Sequence, residues 1–202
     1  KPAPIQTLYL GYPGSSGLTE MDYWITDHLI HPIDTTEPSS ETKYRLNRNW
    51  TAYGLDKKLP ALTEKPAGAP ITFGVINHIG KHSREFINMW VQILKRNPDA
   101  RLLVKSVEFN DADLRINVIN HLEEMGVDRQ RLTLVGQSRS HDAHMDVYNT
   151  IDVCLDPFPY NGGTSTADAL AMGVPVISLT GDALKSRMGV AILTASGFPQ
   201  WI

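Results

Sequence analysis

The residues with the most chemical content lie in one stretch, Asp156-Pro-Phe-Pro-Tyr-Asn-Gly-Gly-Thr-Ser-Thr-Ala-Asp168. An apolar run, Ile151 to Leu155, precedes it and is short enough for a buried strand. Ala167 to Met172, rich in helix formers, follows it, and Gly173 marks a stop. The stretch therefore reads as strand, loop and helix start. Pro157 and Pro159 stiffen the exit from the strand. Gly162 and Gly163 let the backbone approach a ligand closely. Thr164, Ser165 and Thr166 set hydroxyls where the unpaired N–H groups of a first helical turn point outward, and such a helix start is an anion site. Asp168, read as part of that first turn, can accept from sugar hydroxyls. The same residues also fit an ordinary helix cap on Thr164 or Ser165.

A helix start binds a ligand only where a scaffold brings other groups to it. From Ile71 onward the pattern is regular. Strands are expected at 71–77, 101–105, 131–135, 153–155 and 175–179. Helices are expected at 83–95, 111–125, 141–150, 165–172 and 183–195. This alternation predicts an α/β fold, a parallel sheet with helices on both faces. Such sheets bind ligands beyond the carboxyl ends of their strands. The first strand of this set ends at Asn77-His78-Ile79-Gly80-Lys81, so His78 and Lys81 are placed at the same crevice as the helix start. Upstream, strands are expected at 6–11 and 23–26, with a helix near 39–44. Residues 28–70 lack periodicity and read as a crossing or linker.

The chain has 202 residues, 42% hydrophobic and 20% charged, with a net charge of −3. That charge excludes a broad nucleic-acid or anionic-membrane surface. No run approaches the ~18 apolar residues of a membrane span. The single cysteine, Cys154, sits in an apolar strand and fits a reducing, cytoplasmic setting. The start at Lys1 and the end at Ile202 in mid-pattern suggest a fragment. His141 and His144 stand at i, i+3, but no carboxylate is spaced to complete a metal site. Asp111-Ala-Asp113 reads as helix capping rather than a metal motif. There is no Gly-x-Gly-x-x-Gly after the first strand, no Walker loop and no Gly-x-Ser-x-Gly elbow.

Several pieces together resemble the O-linked GlcNAc transferase and SPINDLY group of GT-B glycosyltransferases. They are Pro2-Ala-Pro-Ile-Gln6, Leu10-Gly-Tyr-Pro-Gly-Ser-Ser-Gly17, Met21-Asp-Tyr, Ile25-Thr-Asp27, Asn77 with Lys81, Met89-Trp90, Ile93-Leu94, Asp152-Val-Cys-Leu-Asp156, and Tyr160 to Thr166 with Asp168 and Gly173-Val-Pro175. They are collinear and span the chain. The resemblance implies the nucleotide-binding half of a GT-B fold (67–202) preceded by the tail of the N-terminal catalytic domain and a linker (1–66). It implies transfer of a sugar from a UDP- or GDP-linked donor to protein hydroxyls, with inversion, no metal and no other cofactor. It gives Lys81 the phosphate-neutralising role, Gly163, Thr164, Ser165 and Thr166 the diphosphate, Asp168 the ribose, Gln137 to Arg139 the base, and His144 a donor contact. Gly11 would lie near the donor sugar and His78 at the donor. The GlcNAc enzymes carry Gln at the position of His78 and His at that of Gly163, and Phe158 to Gly163 is nearer to SPINDLY-like relatives. A GDP-fucose protein O-fucosyltransferase, or a nucleotide-binding protein without transfer activity, therefore stands as an alternative. Oligomeric state is not legible.

Overall fold

A computed structural model describes residues 2–54 and 58–202. Lys1 and residues 55–57, the latter inside the stretch read as linker, lie outside the described residues. The chain builds two parallel sheets. The smaller joins β1 (Thr7–Leu8), β2 (Tyr23–Asp27) and β3 (Thr42–Leu46) in that order. The larger contains β4 (Thr72–Ile76), β5 (Arg101–Lys105), β6 (Leu132–Val135), β7 (Val153–Leu155) and β8 (Val176–Ile177), in the order β6-β5-β4-β7-β8. The helices are α1 (Arg84–Arg96), α2 (Ala112–Glu124), α3 (His141–Asp146), α4 (Thr164–Ala171) and α5 (Met188–Ala195).

Successive strand residues point to opposite faces, and each face of the larger sheet has its own core. Val75, Leu102, Val104 and Leu155 pack with Phe86, Trp90 and Leu94 of α1 and Leu122 of α2. Their neighbours Ile76, Leu103 and Cys154 pack with Met145, Tyr148, Ala169 and Leu193 on the other side. Helices thus cover both faces, as the alternation required. A third cluster unites Trp24, Ile30 and Trp50 of the small-sheet region with Leu184, Met188 and Ala191. Hydrogen bonds reinforce that junction: Asn49 Nδ2 donates to Ala191 O (2.6 Å), and Arg187 Nε to Leu29 O (2.7 Å).

Three expectations need correction. The helix near 39–44 does not form; Thr42–Leu46 is a strand paired in parallel with β2. Its β-branched and aromatic residues alternate and suit the pleat. The helix expected at 183–195 is a short 3-10 turn, Leu184–Ser186, followed by α5 from Met188, because Arg187 leaves helical geometry (φ −127°). The strand expected at 6–11 pairs only at Thr7–Leu8.

α1 is fixed to the site at its first turn. Ser83 caps it, its Oγ accepting from Phe86 N (3.1 Å) and donating to Phe158 O (2.9 Å). One hydroxyl thus holds both a helix start and the loop after β7. Ser83→Ala is expected to lower unfolding free energy by about 1–2 kcal/mol in urea denaturation. Ser83→Asp, which still accepts but cannot donate, should recover only part of it.

Candidate donor site

Strands β4, β5 and β6 run outward in one direction, and the chain then returns to place β7 on the other side of β4. The carboxyl ends of β4 and β7 are therefore the switch point, where the loops diverge and leave a crevice. A cleft of about 550 Å³ opens there. It is lined by Asn77 and His78 after β4, Lys105 at the end of β5, Gln137 after β6, His144 on α3, and Thr164, Ser165 and Asp168 on α4, among others.

The loop before α4 is built around Asp156. This carboxylate is 4% exposed and accepts from Ser178 Oγ (2.5 Å), Gly162 N (2.6 Å) and Thr166 Oγ1 (3.5 Å). Burial pushes its pKa up from 3.8 to about 6, against the pull of those bonds and of Lys81. Gly162 is required here. A Cβ would lie 2.6 Å from Ser165 Oγ, 2.7 Å from Thr166 Oγ1 and 3.0 Å from Asp156 Oδ1. Gly163 is different: its Cβ would first meet Met188 Cε at 3.8 Å, an ordinary contact.

The cap expected on Thr164 or Ser165 does not form at α4. Its N-cap is Gly163, and no side chain caps it. The first-turn N–H groups therefore open toward the cleft beside Thr164 and Ser165, with the positive end of the helix dipole behind them. Ser165 Oγ donates to Asn77 Oδ1 (3.2 Å), joining the β4 and β7 loops across the switch point. Thr166 does not face the cleft; it is buried, its hydroxyl turned to Asp156. It holds the loop and is not exposed to a ligand. Asp168 belongs to the second turn of α4, since no acidic residue falls in the first.

Lys81 lies under the same loop. Its Nζ donates to Asn161 O (2.8 Å) and sits 4.0 Å from the centre of the Tyr160 ring. Burial pushes its pKa down and Asp156 opposes this. Tyr160 also lines a second cleft, of about 820 Å³, together with Gly11. Lys81 itself lines neither cleft, and Gly11 lines the second cleft but not the first. His78 is mostly exposed; its Nδ1 accepts from Gly80 N (3.1 Å) and its Nε2 is 2.5 Å from Glu108 Oε1. Gln137 lines the first cleft, its backbone N–H held by Asn110 Oδ1 (2.9 Å). Arg139 is exposed and lines neither cleft.

Two side chains at the site gave no signal in the sequence. Tyr53, from the segment after the small sheet, donates its hydroxyl to Asp168 Oδ1 (2.7 Å). Burial and Asp168 push the Tyr53 pKa well up, so it stays a donor. Asp168 Oδ2 is 3.9 Å from His144 Nε2. Burial first, and Lys105 second, push His144 down toward the neutral form. Lys105 is buried and donates to Gly136 O (2.7 Å). Its place at the end of a strand carries no motif. Among the described residues, no group of three or more His, Cys, Asp or Glu is placed to hold a metal ion.

Residues 1–65 and 61–202 match Glycosyl transferase family 41. The chain belongs to this family. It is 35% identical over 199 residues to a protein of Oryza sativa subsp. japonica named probable UDP-N-acetylglucosamine–peptide N-acetylglucosaminyltransferase SPINDLY, covering 98% of this chain and 22% of that protein. It is 29% identical over 208 residues to the Arabidopsis thaliana protein of the same activity name called SEC, covering 98% and 21%. A mutant of Thermobaculum terrenum O-GlcNAc transferase superposes with a TM-score of 0.90 at 31% identity, covering 99% of this chain and 38% of that one. The family 41 chain thus spans about a fifth of the length of its curated relatives (22%), and its fold is the GT-B fold of that transferase.

The two glycines separate the loop's steric need from its sequence. Gly162→Ala is expected to cost about 1–3 kcal/mol in urea unfolding, from overpacking against Asp156 and Ser165, whereas Gly163→Ala should stay within about 1 kcal/mol.

Asp156 also sets a pH dependence. The folded chain binds its proton more tightly than the unfolded one, so Asp156 favours folding below pH 3.8 and that contribution is lost as pH rises through about 6. Between about pH 4 and pH 7 the wild type should lose on the order of 2–3 kcal/mol relative to Asp156→Asn, measured as the difference in urea unfolding free energies.

Proposed function

We propose that the chain forms the donor-binding part of a protein O-glycosyltransferase that moves N-acetylglucosamine from UDP-GlcNAc to serine and threonine hydroxyls. The observation that carries this reading is the uncapped start of α4, at the switch point of the sheet and at the end of the loop that Lys81 holds through Asn161, in a chain of family 41. The activity names of the relatives support the sugar, the base and the protein acceptor. We read residues 1–66 as the tail of an N-terminal catalytic domain with its linker, and 67–202 as the nucleotide-binding domain. With its lone cysteine buried as a free thiol, the protein is assigned to the cytoplasm.

The chemistry follows from where charge develops. A hydroxyl oxygen attacks the anomeric carbon from the face opposite the diphosphate, and its proton passes to a base. The bond from that carbon to the phosphate oxygen breaks, and its electron pair leaves with the diphosphate. The configuration at the anomeric carbon is inverted. Negative charge grows on the leaving diphosphate, and the α4 N–H groups with Lys81 are fixed in advance to meet it, which is the usual large term in catalysis. We assign this charge neutralisation to the protein rather than to a divalent cation. Asp168 holds the ribose hydroxyls, oriented by Tyr53.

Titration calorimetry of the chain with UDP and with GDP tests the reading. UDP is expected to bind with and without EDTA. Lys81→Ala and Asp168→Ala should each weaken it by about tenfold or more. Binding of GDP in preference would redirect the donor to a guanosine-linked sugar. A full-length protein that binds UDP but transfers no sugar to protein would leave only a nucleotide-binding role.

A further inference from the structure

The cleft contains one cation that the reading above leaves without a task. Lys105 closes β5, is 5% exposed and lines the cleft. An ammonium has three protons to donate and accepts nothing. Gly136 O takes one of them, and among the described residues no carboxylate pairs with Lys105. Burying an ammonium without a counter-charge is costly. Burial accordingly pushes its pKa down.

Its position along the site decides what it can meet. The strand order places β7, β4, β5 and β6 side by side. The phosphate end lies at α4, which follows β7. Adjacent strands are about 4.8 Å apart, so the end of β5 stands roughly 10 Å from the end of β7. His144 links the two ends, 3.9 Å from Asp168 and close enough to feel the charge of Lys105. A nucleoside diphosphate with its phosphates on α4 and its ribose at Asp168 carries its base onward, over the ends of β5 and β6. Lys105 and Gln137 line the cleft there.

We propose that Lys105 reads the nucleobase, donating to the exocyclic oxygen of a 4-oxopyrimidine or 6-oxopurine. The inference rests on the nucleotide-sugar reading of the cleft. A base that presents an amino group at this edge, as cytosine and adenine do, sets donor against donor and leaves a buried ammonium unsatisfied. Sites of this kind discriminate strongly, because the wrong ligand strands a polar group. Lys105 thereby admits uridine and guanosine diphosphates and rejects their amino counterparts.

The test is a set of calorimetric titrations of the chain with UDP, GDP, CDP and ADP, and with the diphosphate of 2-pyrimidinone riboside, which lacks the 4-oxo group. Where GDP is the tighter ligand, the diphosphate of 2-aminopurine riboside replaces the last. The expected result is that the oxo nucleotide binds about tenfold or more tighter than CDP, ADP and the deoxo analogue. In Lys105→Met these affinities should draw level, with that for CDP changed by no more than about twofold. A wild-type chain that binds UDP and its deoxo analogue equally would overturn the inference, and this arm needs no variant to fold. So would a Lys105→Met chain that loses all nucleotides in equal measure, which would put the ammonium on the phosphates or in the scaffold. Either outcome leaves the donor-site reading intact. A wild-type chain that binds no nucleoside diphosphate overturns both.

Discussion

Asp156 follows β7 almost out of reach of water, and three donors converge on it: a serine hydroxyl from beyond β8, a threonine hydroxyl from α4 and a backbone N–H from the loop between β7 and α4. A buried carboxylate is tolerated only when its lone pairs are occupied. That demand fixes the path of the chain from Pro157 to Thr166. It pulls Gly162 inward until no Cβ fits. It turns Thr166 away from the cleft, and so leaves Gly163, with no side chain to offer, as the residue at the start of α4. The exposed helix start is thus a by-product of satisfying a buried charge. Lys81 lies close enough to Asp156 to favour its ionised form, and its own ammonium is held by Asn161 of the same loop.

The second constraint is the parallel sheet. All five strands of the larger sheet point their carboxyl ends one way, so every loop that follows a strand is delivered to one rim. Asn77, Lys105, Gln137 and the α4 start come from four different strands and meet only because of this. The smaller sheet contributes from the side, through Tyr53 on Asp168 and through the cleft that holds Gly11. The packing of Trp24, Ile30 and Trp50 on Leu184, Met188 and Ala191 keeps those contributions in place.

Much of this was legible in the sequence, and the reasons are specific. The helices with one apolar stripe, α1 above all, announced themselves by period, and the strand, loop and helix from Ile151 to Met172 by their glycines, prolines and hydroxyls. What stayed hidden depended on tertiary pairing. Thr42–Leu46 became a strand because β2 was there to pair with it. Thr166 looked like its neighbours Thr164 and Ser165, and only the buried Asp156 tells them apart. Lys105 read as an ordinary charged strand end, since nothing in a five-residue strand says which rim it reaches. Tyr53 sits in a segment without periodicity, and its partner Asp168 is 115 residues away. The resemblance placed a base-recognition segment at Gln137 to Arg139, yet only Gln137 of its two ends lines the cleft.

The return of the chain to β4 has a consequence for how the molecule forms. β4 pairs with β5 and β5 with β6, each the next strand in the chain, but β7 pairs Val153 with Phe73, across three βα units. Closing so long a loop is slow compared with local pairing, because its entropy is lost before its contacts are made. The crevice between β4 and β7 does not exist until that closure is complete. A chain paused with only β4 to β6 assembled holds a sheet and two covering helices, but no switch point and no helix start beside Asn77. The candidate anion site is therefore assembled late in folding, and reports on the finished topology rather than on any segment of it.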